Sequence, residues 1–438
     1  MIDSTAERVL ELAAKRFDAA EVFEESGETV SVGFQDNRLK EIHTEQRHGI
    51  GLRVIHQGRI GFASTTDLRE PARLVEMAAA SAMYGDKATF QFPGRPRRLK
   101  TCDLYDERVP AITAEQMVEM GRDGLELSRQ ASDGYLFACG IGRGMQTEHI
   151  LNTSGLDYEF AGTGMSASVD VQEVRDDGLL SAYEYRSWGQ PLEGVMDLTR
   201  TVLEKMRLAS VVVPARVEAM PMIFTQKALG NLFMPIAVAL NGKNVHKGSS
   251  VLKGKIGEQV LDERLTLVDD PTISYAPASC PMDGEGTPTR RLAIFNRGVL
   301  KTYLADLQTA GLLGIKPTGH GFRSYSSRPG PSDTNTVLEP GDTSYADMVA
   351  GMTKGLIVDE TLGSGQSNVL AGEFSVNVAL GFRVEDGRIT GRVKDCMVAG
   401  NVYEVLKKVE AIGSEREWHG AAYTAPIMVG GLKIAAQG

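Results

Sequence analysis

Apolar residues along the chain switch between two periods. Val9, Leu10, Ala13, Ala14 and Phe17 recur at helical spacing behind Ser4-Thr-Ala-Glu7, which has the form of a capping box, and predict an opening helix. The period then drops to two. Val30, Val32 and Phe34 alternate up to Asp36-Asn37, Ile50, Leu52 and Val54 alternate up to Gln57-Gly58, and Ile60 and Phe62 resume beyond it, predicting an antiparallel meander. A second helix is expected from about Asp67 to Met83, then a loop at Pro93 and Pro96, then a third helix capped by Thr113-Ala-Glu-Gln116 and reaching about Arg129. Strand patterns return from Tyr135 to Trp188, turning at Asp176-Asp-Gly178, and one more helix spans about Leu192 to Leu208.

Pro214 and Pro221 oppose a continuous helix across the following stretch, so a border near residue 215 divides the chain into domains of residues 1–214 and 215–438. The second half opens with a strand at Met222-Ile-Phe-Thr225 and a helix on which Leu229, Leu232, Phe233, Ile236 and Leu240 line one buried face, with a bend expected at Pro235. Later come a hairpin at Asn296-Arg-Gly298, a helix from about Leu304, a polar loop from about Pro317 to Asp342, and a helix from Ser344 to Lys354. The clearest strand holds Phe374, Val376, Val378, Leu380, Phe382 and Val384 at every second position up to Asp386-Gly387, with Ile389 and Val393 returning; one face is buried and the other wet. Asn401-Val-Tyr-Glu404 caps a last helix. Helices alternating with hairpins place the fold in the α+β class, two domains of antiparallel sheets packed with helices.

Composition narrows the function. A chain of 438 residues exceeds one ordinary domain, and 42% hydrophobic residues supply a full core. The net charge of −10 argues against nucleic acid as a partner, because phosphate recognition needs a concentrated positive field; the run Arg95-Pro-Arg-Arg-Leu-Lys100 reads as a solvated loop. No apolar stretch approaches the roughly 18 residues of a membrane span, and the acidic N-terminus leads into an amphipathic helix, so no membrane contact and a cytoplasmic location are expected. Cys102, Cys139, Cys280 and Cys396 lack C-x-x-C spacing and read as reduced structural thiols. His43, His48 and His56 read as polar residues on a solvated face, His149 and His419 lack a partner at ligand spacing, and His246 and His320 are too far apart to form a metal signature. Gly363-Ser-Gly-Gln-Ser367 lacks the lysine of a phosphate loop and leads into a strand, so it is either a hairpin entry loop or a lip beside a binding path.

Five stretches in order, Asp283-Gly-Glu-Gly-Thr-Pro-Thr-Arg290, Lys316-Pro-Thr-Gly-His320, Gly363-Ser-Gly-Gln-Ser367, Ala371-Gly-Glu-Phe-Ser375 with Gly381-Phe-Arg-Val-Glu-Asp-Gly387, and Met397-Val-Ala-Gly-Asn401, resemble the TldD/PmbA metallopeptidase family and its PmbA or TldE branch. Active members carry the zinc motif H-E-x-x-x-H on the helix that follows Thr225. Aligned on Lys247 to Glu258, the motif positions here hold Phe233, Met234 and Val238, and the region of the family's C-terminal cysteine ligand is Tyr423-Thr424-Ala-Pro426, none of which can serve as strong zinc ligand or general base. The resemblance thus implies no metal, cofactor or catalytic residue in this chain. It implies a TldD-type, zinc-bearing subunit as partner in a heterodimer that cleaves unstructured peptides in an enclosed chamber; the first domain is the candidate for enclosing that chamber, and without the partner the same surface could pair with itself as a homodimer. His320, Arg323, Gly372 and Glu373, in or beside these motifs, are the candidates for peptide contact. A stand-alone peptide-binding or scaffold protein is the competing reading; an active peptidase with substitute ligands would require metal in the purified protein.

Overall fold

The structure is a computed structural model that describes residues 5–192, 194–363 and 367–436; Ser4 of the capping box and residues 364–366 of the glycine loop lie outside the described residues. The first half comprises helices α1 (Thr5–Ala14), α2 (Pro71–Ala82), α3 (Arg108–Ala111), α4 (Ala114–Ala131) and α5 (Val195–Leu208) and strands β1 (Ala19–Gln35), β2 (Arg38–His56), β3 (Arg59–Thr65), β4 (Leu136–Asn152), β5 (Asp157–Arg175) and β6 (Gly178–Trp188). The strands form one antiparallel sheet in the order β3-β2-β1-β4-β5-β6. Its first turn follows from local chemistry. Asp36 and Asn37 adopt φ of 50° and 63°, the left-handed pair that a two-residue hairpin matching the strand twist requires. Asn37 then pins the tip to the next hairpin, its amide donating to the Tyr135 carbonyl at 2.9 Å and its side-chain oxygen accepting from Phe137 N at 2.7 Å.

Period two decides what each face of this sheet meets. Ala20 and Val22 of β1 pack with α1 and α2, Val30 and Val32 on the same face pack with α4 and α5, and Phe23 on the other face meets Ile150 and Met282. The capping box at Thr113 forms as expected, its hydroxyl accepting from Gln116 N. Helix α2 starts later than the pattern suggested, at Pro71: proline suits the first helical turn, and Asp67 is occupied by Arg69.

The second half comprises β7 (Ala219–Phe224), α6 (Gln226–Leu240), α7 (Gly242–Lys247), β8 (Leu267–Asp269), β9 (Leu292–Asn296), β10 (Val299–Leu300), α8 (Leu307–Leu313), β11 (Gly321–Phe322), β12 (Gly330–Pro331), β13 (Thr336–Leu338), α9 (Tyr345–Ala350), β14 (Lys354–Leu362), β15 (Glu373–Glu385), β16 (Arg388–Arg392), β17 (Cys396–Asn401), α10 (Val402–Val405), β18 (Val409–Ile412), β19 (Glu417–His419), β20 (Ala422–Thr424) and β21 (Ile427–Ala436). One sheet runs β10-β9-β8-β13-β20-β19. Another runs β14-β7-β21-β17-β15-β16 with β18 beside β21, and a further β14–β15 pairing closes the path on itself. The fold is α+β, and the sheets are mixed: β7 lies parallel to β14, and β13 to β20.

This closed sheet is buried on two sides, which explains its continuous apolar runs. Met222 and Phe224 pack with α6, while Ile223 between them points into the cluster that also holds α4 and α5 of the first half; Leu356, Val358 and Ile357 of β14 divide in the same way. One hydrophobic cluster therefore draws side chains from each side of residue 215. The border stretch itself is pinned to β16, Val213 N donating to the Arg392 carbonyl at 2.9 Å and Arg392 N to that of Val211 at 2.8 Å.

Several boundaries differ from the sequence reading for identifiable reasons. The helix expected from Leu304 begins at Leu307, capped by Asp306, which accepts from Thr309 N at 2.6 Å. The helix expected to reach Lys354 ends at Ala350, and Lys354 opens β14. The polar segment from Pro317 to Asp342 contains β11, β12 and β13 and buries Thr318, His320, Thr334 and Asn335. The four cysteines are free thiols, and among the described residues no helix is long and apolar enough to cross a membrane.

Candidate functional site

Helix α6 carries Phe233, Met234 and Val238, the positions that the resemblance aligns with the zinc motif. Leu229, Leu232, Ile236 and Leu240 bury as the periodicity requires. Phe233 is a correction: it lies at the edge of the stripe, is only partly buried, and with Met234 lines a cavity of about 210 Å³ beside β8 and β20. Val238 lies outside that lining and is partly buried, and Thr424 is fully buried on β20. The polar residues lining the cavity are Asp269, Asp333 and Thr336; the rest of its wall is apolar or glycine. Asp269 is already engaged, accepting from Thr334 N at 2.7 Å and from the Thr334 hydroxyl. Among the described residues no group of three or more His, Cys, Asp or Glu is placed to hold a metal ion. A zinc ion, borderline-soft and needing three or four imidazole, thiolate or carboxylate ligands, would meet phenyl and thioether groups at Phe233 and Met234 and only two carboxylates, of which Asp269 is already engaged, so the residues present do not fit it here.

The peptide-contact candidates divide. His320 is 1% exposed, its Nδ1 donating to the Thr318 carbonyl at 3.1 Å and its Nε2 lying 3.2 Å from Asp269. The Arg323 side chain is fully buried, 2.7 Å from Glu21 and with its guanidinium over the Phe23 ring at 4.6 Å. Arg323 ties the second half to the first, where its buried charge is spent on its counter-ion, His320 is held within the second half, and neither offers surface to a peptide. Gly372, with φ of 82°, is buried under the Tyr403 ring, where a β carbon would come within 2.6 Å. Glu373, next to it at the start of β15, is exposed.

Around Arg323 lies a charged cluster that sequence reasoning missed. Arg53 of β2, 3% exposed, stands 2.9 Å from Glu21 and 2.5 Å from Glu285, and Glu285 also accepts from Leu307 N at 2.6 Å. Burial opposes the charge on Arg53, but Glu21 and Glu285 outweigh it and raise its pKa; burial lowers that of Arg323. Glu285 belongs to the glycine-rich stretch beginning at Asp283, so that motif anchors the second half to the first.

A larger opening lies on the other side of β20. A cleft of about 920 Å³ is walled by β6 and α5 from the first half and by β19, β20 and the start of α6 from the second. At its edge Lys205 contacts Glu184 at 2.5 Å and Asp359 at 2.6 Å, and Lys227 contacts Glu360 at 2.5 Å. Burial disfavours the Lys205 ammonium, yet Asp359 and Glu184 hold its pKa above the ordinary range. Trp188, Trp418 and Tyr423 stand in mutual contact on the wall. The signal that could have found them is rarity: the chain has two tryptophans, one in each half.

The architecture defines an α+β protein of two parts that share one hydrophobic cluster. It superposes on TldE from Thermococcus kodakarensis with a TM-score of 0.91 at 24% identity, over 99% of this chain and 100% of that one. The profile of the PmbA/TldA metallopeptidase C-terminal domain matches residues 217–436, and that of PmbA/TldA metallopeptidase domain 1 matches residues 20–82. The chain belongs to the PmbA/TldD metallopeptidase family. It is 26% identical to the Metalloprotease PmbA of Escherichia coli O157:H7, covering 100% of this chain and 96% of that protein, and 28% identical to a Metalloprotease of Methanothermobacter thermautotrophicus, covering 91% and 89%.

Proposed function

We propose that this chain is a non-catalytic, PmbA/TldE-like subunit of a two-component zinc metallopeptidase that degrades or processes unstructured peptides in the cytoplasm, with zinc supplied by a TldD-type partner. The observation that carries this reading is the side-chain set at the family's metal position: Phe233 and Met234 line an apolar cavity, and Val238 and Thr424 complete a set without a strong ligand or a base. The first half offers a surface for the partner. From Arg38 to His48 strand β2 is exposed, and β3 pairs only with its Ile50–His56 portion, so among the described residues that edge of β2 carries unpaired backbone groups and the exposed side chains of Leu39 and Ile42. Such an edge is a template for another strand.

Elemental analysis and a peptidase assay test the proposal. The purified chain is expected to hold no stoichiometric zinc and to leave unstructured peptides intact, and to form a cleaving complex with a TldD-type chain from the same organism. About one zinc per chain, lost after changing His246 or His320, would overturn it. A strict monomer that forms no complex on mixing would favour the stand-alone peptide-binding reading.

A further inference from the structure

We infer that the cleft between β6 and β19–β20 is a peptide-docking site of this chain, taking an extended segment that carries aromatic or proline side chains. The choice of peptide as ligand class rests on the proposed role in peptide processing; the site itself rests on geometry. Its wall is a continuous stack. The Arg416 guanidinium lies 4.5 Å over the Tyr423 ring, Tyr423 stacks on Trp418 at 4.8 Å and 15°, and Trp418 meets Trp188 edge-on at 5.3 Å and 62°. Trp188, Trp418 and Tyr423 are only partly buried; Trp188 also packs against the core cluster shared by the halves, and the ring surface that stays open faces the cleft. Large aromatic faces left to water in a concave site are costly unless something covers them.

The shape fits a chain. Tyr185, Ser187 and Trp188 also line a second hollow of about 380 Å³. Gly142 and Gly144 of β4 and Gly162 and Gly164 of β5 line that hollow, and a β carbon built on Gly164 would meet nothing within 4 Å. A wall of rings followed by a floor of bare backbone suits a polymer that alternates side chain and main chain. Aromatic-lined grooves take proline-rich and aromatic segments because these present flat, preordered apolar surface.

Charge does not favour the phosphate-bearing ligands that stack on rings. Lys205 and Lys227 are neutralised by Glu184, Asp359 and Glu360, and Glu415 and Glu417 add negative charge to the lining. Arg186 and Arg416 on the same lining balance these two, so the cleft offers no concentrated positive field to a phosphate-bearing base. The ring edges left open by the stack are the recognition elements.

The protein supplies its own reporter, since Trp188 and Trp418 are its only tryptophans. Titrating the isolated full-length chain with an unstructured peptide rich in proline and phenylalanine is expected to give a saturable change in tryptophan emission. A glycine–serine peptide of equal length is expected to give none. Tyr423→Leu, which keeps apolar volume but removes the ring, and Trp418→Phe, which leaves Trp188 as reporter, should each weaken binding about threefold to tenfold; circular dichroism checks that the variants are folded. Emission unchanged by the aromatic peptide, an equal response to the glycine–serine peptide, affinity indifferent to both substitutions, or saturation instead by a nucleotide or an oligosaccharide would each overturn the assignment. Neither zinc nor a partner subunit enters this measurement, so its failure is distinguishable from failure of the subunit reading.

Discussion

His149 on β4 stands between two carboxylates, Glu24 at 3.8 Å and Asp157 at 2.8 Å. Glu24 chiefly, then Asp157, push its pKa up to about 9, against about 6.5 for a free imidazole. The folded state thus binds the proton more tightly than the unfolded chain. Its contribution is complete below about pH 6.5 and is lost as pH rises through about 9. Denaturant midpoints across that window should fall, and His149→Gln should flatten the fall; an identical slope in the variant would count against the site. Arg53 makes a sharper case. Arg53→Met leaves Glu21 and Glu285 buried with one fewer cation, and breaking a buried pair from one side costs about 3–5 kcal/mol. The cost would appear as a lowered denaturation midpoint, and a change within 1 kcal/mol or so would show that water reaches the cluster.

At the scale of elements, α6 separates core from cavity. Leu232 is fully buried, so Leu232→Ala should cost about 2–5 kcal/mol. Phe233→Ala should cost clearly less, because part of the ring borders the 210 Å³ cavity; equal costs would place Phe233 in the core after all. The sequence showed this helix because its apolar spacing is local, but Phe233 sits where the stripe ends and only packing decides its side. The same contrast runs through the chain. Strands β1, β2, β5, β6 and β15 were legible from alternation and from turns such as Asp36-Asn37, which need only neighbours in sequence. The segment from Pro317 to Asp342 was not, because its order comes from distant partners: Asp283 accepts from Gly321 N at 2.9 Å and Asp269 from Thr334 N. Motif residues His320 and Arg323 pointed to function and proved to be inward-facing anchors. The aromatic cleft was invisible for a related reason, since Trp188 and Trp418 meet only when the halves do.

For the whole molecule, the unpaired edge of β2 makes association the expected state. Light scattering should find a two-fold homodimer of this chain alone or a complex with the proposed TldD-type partner, and Ile42→Lys, placing a charge on that edge, should weaken whichever forms. An indifferent variant would move the interface elsewhere. The apolar cluster shared across residue 215 has a further consequence, which concerns synthesis. A nascent chain that has just reached this border has already made α4, α5 and the sheet they cover, but Ile223, Ile357, Leu380 and Phe382, which finish that packing, are still to be translated. Glu285 and Arg323, which complete the ionic cluster around Glu21 and Arg53, also come later. The emerging first half therefore waits with a sticky face and an unfinished ionic cluster until the last third of the message is read. Expressed alone, residues 1–214 should give an insoluble or chaperone-bound fragment, whereas co-expression with residues 215–438 should recover soluble protein.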